Sequence, residues 1–298
     1  MAARFYRKES VASGFRRLVG EQTGLLVSLL ADQGGAERVH EARVELKRMR
    51  ALLQLAKSGL DGEVFAEQNG TLRDTGRKLS EAREAQVNLV IFNALADTVP
   101  KGEAAIVHKL LEDDVARTHR RSARANRLAS IAGILRACGH TLSAERLDVD
   151  DWLLLGPALQ ASYRNARKLR QIARDPKRET ELHESRKRIK RLFFQLEFLR
   201  RALGKPVRKT LTRLRKLAVL LGEHHDICIL RSTLRKHAAE GVTAAASPVL
   251  DERLVDELSR LLKRIRKQAN AAFDERPKAF LKGVHTNWKC WRAEGMGA

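Results

Sequence analysis

LHESRKRIKRLFF (182–194) carries seven ionisable side chains in its first ten residues and then turns apolar. VHEARVELKRMRA (39–51) has the same build. With His40 laid on His183, identities fall at His40/His183, Glu41/Glu184, Arg43/Arg186, Lys47/Lys190 and Arg48/Arg191, an offset of 143 residues in a chain of 298. A second pair of blocks follows in the same order, LSEAREAQV (79–87) over LGEHHDICI (221–229), at an offset of 142. Leucine, a small residue and glutamate head both blocks, and each then carries a basic or imidazole group, an acid and a β-branched residue. Two matched blocks in the same order mark an internal duplication, where one alone would be weak.

Around these blocks apolar residues recur with helical spacing, and no segment sustains the alternation of a strand. Leu, Ala, Arg, Lys and Glu dominate a chain with only six prolines, a mixture that favours helix. Breaks near Gly34–Gly35, Gly59–Gly62, Pro100–Gly102, Cys138–Asp150, Asp175–Lys177, Gly204–Pro206 and Gly241–Pro248 divide each half into four helices. The expected spans are 9–31, 36–58, 63–97 and 101–137, then 151–174, 178–203, 206–239 and 249–284. Long helices joined by short loops pack as antiparallel neighbours. The expected fold is therefore all-α, with four-helix bundles at 9–137 and 151–285 joined by a connector at 138–150.

Charge is the strongest global feature: 58 Lys and Arg stand against 36 Asp and Glu, a formal +22. Residues 1–149 hold 24 basic and 19 acidic side chains, while residues 150–298 hold 34 and 17. An excess of this size points to a polyanionic partner or surface. No apolar run is long enough to cross a bilayer, and MAARFYRKES (1–10) lacks the apolar core of a secretory signal. Cys138, Cys228 and Cys290 are odd in number and scattered, so the reading is a reducing, cytoplasmic setting with no disulfide framework and no structural zinc.

On a helix over 36–58, His40, Arg43, Lys47 and Arg50 fall in one sector of roughly 80°. Leu46, Met49, Leu52, Leu53 and Ala56 take the opposite side. In the second copy His183, Arg186 and Lys190 repeat the stripe, with Lys187 and Arg191 at its edge and Leu182, Ile189, Leu192, Leu196 and Leu199 behind it. One such stripe is ordinarily a solvated face; the same residue types at the same spacing in both halves argue for a shared site. Further basic stripes run through Arg117, Arg120, Arg124 and Arg127, through Lys209, Arg213 and Lys216, through Tyr163, Arg164, Arg167, Lys168 and Arg170, and through Arg260, Lys263, Arg264 and Lys267. Stripes of this kind present cations to repeated phosphates.

The paired His-x-x-Arg-x-x-x-Lys-Arg helices, the approach SYRNARKLRQIARDPKRETELHESRKRIKRLFFQLEFL (162–199) and the block LGEHHDICIL (221–230) resemble the conserved histidine α-helical domain, CHAD. The resemblance covers about residues 10–285, and nothing before it looks like the β-barrel triphosphate-tunnel domain of some relatives, so a stand-alone member spanning 1–298 is expected. It implies two four-helix bundles related by a pseudo-twofold axis, a basic pore or groove that binds inorganic polyphosphate, and association with polyphosphate granules. Carried residue by residue, the motif positions are His40, Arg43, Lys47 and Arg48, then His183, Arg186, Lys187, Lys190 and Arg191. Arg50, Arg120, Arg124, Lys209, Arg213 and Lys216 join them as candidate polyphosphate ligands. Family members usually carry Arg-Asp-x-Asp in the Leu-Gly block, where this chain has Arg83-Glu84-Ala85-Gln86 and His225-Asp226-Ile227-Cys228, so the second acid is missing from both copies. The family acids read as ion-pair partners that hold helices in place.

A polyphosphate receptor needs closely spaced Arg and Lys on rigid supports and few aromatics, whereas single-strand nucleic-acid binders need stacking platforms. No aromatic residue interleaves the basic stripes, and no helix-turn-helix, zinc-finger or RNA-recognition signature appears. Nucleic acid, held through its phosphates, is the alternative ligand, expected as weak binding at low salt. Glu41 and Glu184 lie about 100° round their helices from the stripe, away from the place a hydrolase would need them. No catalytic residue, metal ligand or cofactor is assigned: the stripe histidines have cations at i+3 and i+7, and His224 and His225 point about 100° apart. A histidine among cations stays neutral until an anion arrives, so polyphosphate binding is expected to tighten as pH falls through about 6.5.

Overall fold

The structure, a computed structural model, describes residues 3–31, 36–79, 81–122, 125–147, 151–175 and 178–294, leaving aside the side chains at 36, 81–83, 119–122, 125–127 and 243. Helical spacing and capped ends set its elements, all of them helical among the described residues. They are α1 (Val11–Ala31), α2 (Ala36–Leu55), α3 (Gly62–Lys78), α4 (Glu81–Leu95), α5 (Lys101–Ser122), α6 (Ala125–Ala144), α7 (Asp151–Arg167), α8 (Leu169–Ile172), α9 (Glu179–Phe198), α10 (Lys205–Ala239), α11 (Pro248–Ala272) and α12 (Pro277–Ala293). Asp61 caps α3 by accepting from the amides of Glu63 and Val64 at 2.8 and 3.0 Å. Pro206 and Pro248 sit in first turns, where a missing amide costs little. At the end of α10 the amides of Gly241 and Val242 donate to the carbonyls of Ala238 and His237 at 3.1 and 3.0 Å. That closure needs a left-handed residue, and Gly241 supplies it at φ 96°.

α2 and α9 are each 20 residues long and start 143 residues apart, matching the repeat read from the sequence. They pack against each other at the centre. α10 packs on α9, α4 and α11; α1 packs on α2 and α6; α7 packs on α9 and α12. The apolar backs meet in one contiguous cluster that runs through both halves, from Phe15, Leu46 and Phe92 to Ile189, Leu214 and Phe280. Full burial of such side chains contributes about 1.5–3 kcal/mol each.

Several expected spans differ. The helix expected over 63–97 is two, α3 and α4, because Leu79 ends the first, and Ser80 with Glu81 is a start signal for the second. In the second copy Gly222 stands at the matching position and α10 runs through it for 35 residues. The helix expected over 249–284 breaks before Pro277, whose ring disfavours helical backbone at the preceding residue; Arg276 is extended at ψ 149°. The span 101–137 divides between α5 and α6, and 151–174 between α7 and α8. The stretch expected as a connector from 138 is helical to Ala144. Gly139 there is a contact rather than a break: a Cβ would overlap the Thr23 side chain, so its absence lets α6 lie close on α1.

Candidate anion-binding cleft

α2 and α9 turn their polar faces toward α4 and α10, and one cleft opens where the four meet. α2 contributes His40, Arg43 and Lys47, and α9 contributes Arg186 and Lys190, all half-buried. From α4 come Glu84, Val87 and Asn88, and from α10 come His225, Asp226 and Ile229. The repeat is visible in this lining. Arg43/Arg186 and Lys47/Lys190 stand 143 residues apart, and Glu84/Asp226 and Val87/Ile229 stand 142 apart. The cleft is thus built twice from the same residue types, with four permanent cations against two carboxylates.

A second hollow adjoins it through Glu84, His225 and Ile229, and holds His183, His224, Cys228 and Glu179. His183 and His225 meet there, Nδ1 to Nδ1 at 3.0 Å, with ring centroids 4.3 Å apart. Two imidazoles in that geometry share one hydrogen bond only if at least one nitrogen is unprotonated. Burial pushes the His225 pKa down to about 3, helped by the charges of Arg186, His183, His224 and Lys187. Burial and the Lys187 ammonium also lower His183, with Glu184 opposing and Arg186 assisting. His224 is lowered by burial and stands 3.6 Å from the Cys228 sulfur. Burial pushes the Cys228 thiol up to about 12, so it is not a thiolate nucleophile at neutral pH. No group of three or more His, Cys, Asp or Glu among the described residues is arranged to hold a metal ion.

Gly222 lies inside α10 beside Arg186 of α9. Glycine inside a helix costs about 1 kcal/mol relative to alanine. Here a Cβ would meet the Arg186 guanidinium at an ordinary van der Waals distance of 3.9 Å, so only a side chain larger than alanine would enter the space of that group. Gly222, His225, Asp226 and Ile229 fall at i, i+3, i+4 and i+7, one face of α10.

The other sequence candidates are placed differently. Arg48 turns into the seam between α2 and α9, where it bonds Glu45 at 2.9 Å, lies 3.7 Å from Glu197 and sits over the Phe194 ring. Arg50 donates to Asn69 of α3 at 3.3 Å. Lys187 pairs with Glu184 at 2.7 Å. Arg191 is half-buried beside the cleft lining. Lys209 and Lys216 are exposed on α10, and Arg213 donates to the Ala271 carbonyl and pairs with Asp274 at 3.2 Å. The side chain of Arg120, and Arg124 altogether, lie outside the described residues. Glu84, Asn88, Gly222, His225 and Asp226 were not among the sequence candidates. The signal for most of them was present, since four lie in the second duplicated block or its first-half counterpart.

Comparison with known proteins gives the family and the fold. Residues 12–235 match the CHAD domain family. The fold is similar to the crystal structure of the CHAD domain from the plant Ricinus communis, with a TM-score of 0.72 over 91% of this chain and 95% of that one, at 19% identity. No curated protein matches the chain.

Proposed function

The chain belongs to the CHAD domain family, and from that premise we propose that it binds inorganic polyphosphate in the cleft without altering it chemically. One observation carries the reading: Arg43, Lys47, Arg186 and Lys190, at matched positions of a duplication, converge on one cleft. Arginine contributes forked, bidentate contacts and lysine a compact charge, which together suit closely spaced phosphates without base edges. Among the described residues the lining contains no Phe, Tyr or Trp on which a base could stack. Polyphosphate is therefore favoured over single-stranded nucleic acid.

In this reading the halves are pseudo-twofold copies, each a four-helix bundle at heart. α2 answers to α9, and α3 with α4 answers to α10. Glu84 and Asp226, the surviving acid of each Leu-Gly block, steady the cations between them. In this reading binding is non-catalytic, and the Cys228 thiol, whose pKa burial pushes up to about 12, is no nucleophile at neutral pH. A cytoplasmic protein of this kind would travel with polyphosphate granules.

The test is a competition titration at near-physiological salt. Labelled long-chain polyphosphate is bound to the protein and challenged with duplex DNA or RNA at equal phosphate concentration, for wild type and for Arg43→Gln/Lys190→Gln. Charge-assisted hydrogen bonds contribute about 1.5–3 kcal/mol each, so the double variant is expected to lose on the order of a hundredfold in affinity. Polyphosphate should outcompete both nucleic acids on wild type by a similar margin. Equal competition by all three polyanions, with the variant matching wild type, would overturn the reading in favour of non-specific phosphate-backbone binding.

A further inference from the structure

α11 lies away from the cleft and packs chiefly on α10 and α8. Its inner row, Leu250, Leu254, Leu258, Leu261, Ile265 and Ala269, is buried. The outer row reads Glu252, Asp256, Arg260, Lys263 and Lys267, all exposed and all within one sector of roughly 80°. Sign is segregated along that row: the acids come first and the bases follow. Val249 and Val255 lie exposed in the acidic half, at 41% and 38%.

The ion pairs of α11 leave most of this row aside. Asp251 pairs with Arg231 of α10 at 2.6 Å, Arg264 lies 4.0 Å from Glu223 of α10, and Arg260 pairs with Glu257 one turn back at 3.4 Å. Among the described residues Glu252, Asp256, Lys263 and Lys267 take part in none. Within the helix their spacing is unfavourable. Glu252 and Asp256 stand at i, i+4, as do Lys263 and Lys267, and like charges at that spacing repel. The helix dipole does not account for the order, because it acts within the first and last turns, and Asp256 and Lys263 lie about two turns in from the ends at Pro248 and Ala272.

An antiparallel copy of the same helix gives every one of these charges a partner. Glu252 and Lys267 are equidistant from the midpoint between Ser259 and Arg260, and so are Asp256 and Lys263. A twofold axis at that midpoint sets Glu252 against Lys267 of the partner subunit and Asp256 against Lys263 of the partner subunit, and each contact occurs twice. We propose that the outer row of α11 is a docking surface for a second copy of this chain, which lies on it antiparallel about a twofold axis between Ser259 and Arg260. One helix face is smaller than the roughly 1,200 Å² of a stable interface, so the dimer is weak, with a Kd on the order of 100 µM. α11 contributes no side chain to the cleft, so this surface stands independently of the polyphosphate reading.

The experiment is sedimentation of the ligand-free, full-length chain from about 10 µM to about 1 mM, in salt of roughly 0.15 M, where a screening length of about 8 Å damps the mutual repulsion of two strongly cationic chains and spares contacting pairs. Wild type should pass from monomer to dimer across that range. Lys263→Glu/Lys267→Glu should raise Kd by about tenfold or more, because contacts between opposite charges become contacts between like ones. The quadruple variant Glu252→Lys/Asp256→Lys/Lys263→Glu/Lys267→Glu keeps the net charge and reverses the order. It should self-associate as wild type does, yet fail to sediment with labelled wild type in a mixture, since its leading lysines then meet wild-type lysines. All four positions are exposed, and thermal melts near the wild-type temperature check that the variants fold. A wild type that stays monomeric at about 1 mM overturns the proposal. A dimer that tolerates the double reversal, or a quadruple variant that mixes freely with wild type, overturns it equally.

Discussion

Two arginine-rich regions of the molecule use the same side chain in opposite ways. At the corner between α11 and α12, Arg167 and Arg170 donate to the Phe273 carbonyl at 3.4 and 3.1 Å, and Arg213 donates to the Ala271 carbonyl. Carbonyls in the last turn of a helix lack intrahelical partners, and that end of the dipole favours cations. The charge of those arginines is therefore spent within the fold. In the cleft, Arg43, Lys47, Arg186 and Lys190 surround an open space beside histidines that burial and neighbouring cations hold in their neutral form. A basic stripe in a sequence thus has two destinations, helix-end carbonyls or the lining of a cleft, and packing distinguishes them.

The sharpest way to break the comparison is to exchange the phenotypes. The cleft pair Arg43→Gln/Lys190→Gln should lose affinity on the order of a hundredfold while melting near wild type. Next in size, Gly222→Leu should lower polyphosphate affinity by about tenfold, since the new side chain fills the space against the Arg186 guanidinium. Its stability should hold, because leucine is favoured over glycine in a helix by up to about 1 kcal/mol. Calorimetric unfolding beside a binding titration checks both halves of that expectation. Unchanged affinity would show that the room beside Arg186 is not needed.

At the corner the outcome should reverse. Arg170→Met/Arg213→Met leaves carbonyls of α11 short of donors and should destabilise the protein by about 1–3 kcal/mol. Polyphosphate affinity of the folded fraction should change by less than about twofold. Chemical denaturation read together with titration at low temperature separates the two quantities. A large affinity loss at the corner would erase the distinction drawn here.

The smallest expected effect is a pH slope. In the ligand-free fold the pKa of His225 is about 3, against about 6.5 in an unfolded chain. Between those values the folded state binds fewer protons than the unfolded one, so ligand-free stability falls as pH drops through that window. The groups facing this pair are Arg186, Lys187 and Glu184 of α9, His224 of α10 and Glu84 of α4. A bound polyanion favours the imidazolium and raises both histidine pKa values. Affinity should therefore rise several-fold from pH 7.5 to pH 5.5, and His183→Asn/His225→Asn should flatten the slope. A slope that survives in the variant would assign the proton uptake to the ligand or to another group.

The sequence made legible what local spacing controls. The helical class, the basic faces of α2 and α9 and their 143-residue relation were all readable, and the motifs resembled the family that the match over residues 12–235 shows. Helix ends were less legible: α3 ends at Lys78 and α11 gives way before Pro277 within long apolar periodicities, and Gly139 looked like a break because glycine reads the same whether it ends a helix or admits a neighbour. His225 was passed over because adjacency to His224 suggested divergence, and its partner His183 lies 42 residues away.

By itself, then, the sequence determined that the chain is helical, duplicated and strongly cationic, because 3.6-residue periodicity, repeat offset and formal charge need no knowledge of neighbours. Only the tertiary structure decided which cations line the cleft. Arg213 finds Asp274 across 61 residues and Arg48 lies 3.7 Å from Glu197, while Arg191, the same motif position as Arg48, is half-buried at the edge of the α9 stripe. Periodicity sets the face on which a side chain stands, and packing between distant helices sets whether a carboxylate, a carbonyl or a like charge stands opposite.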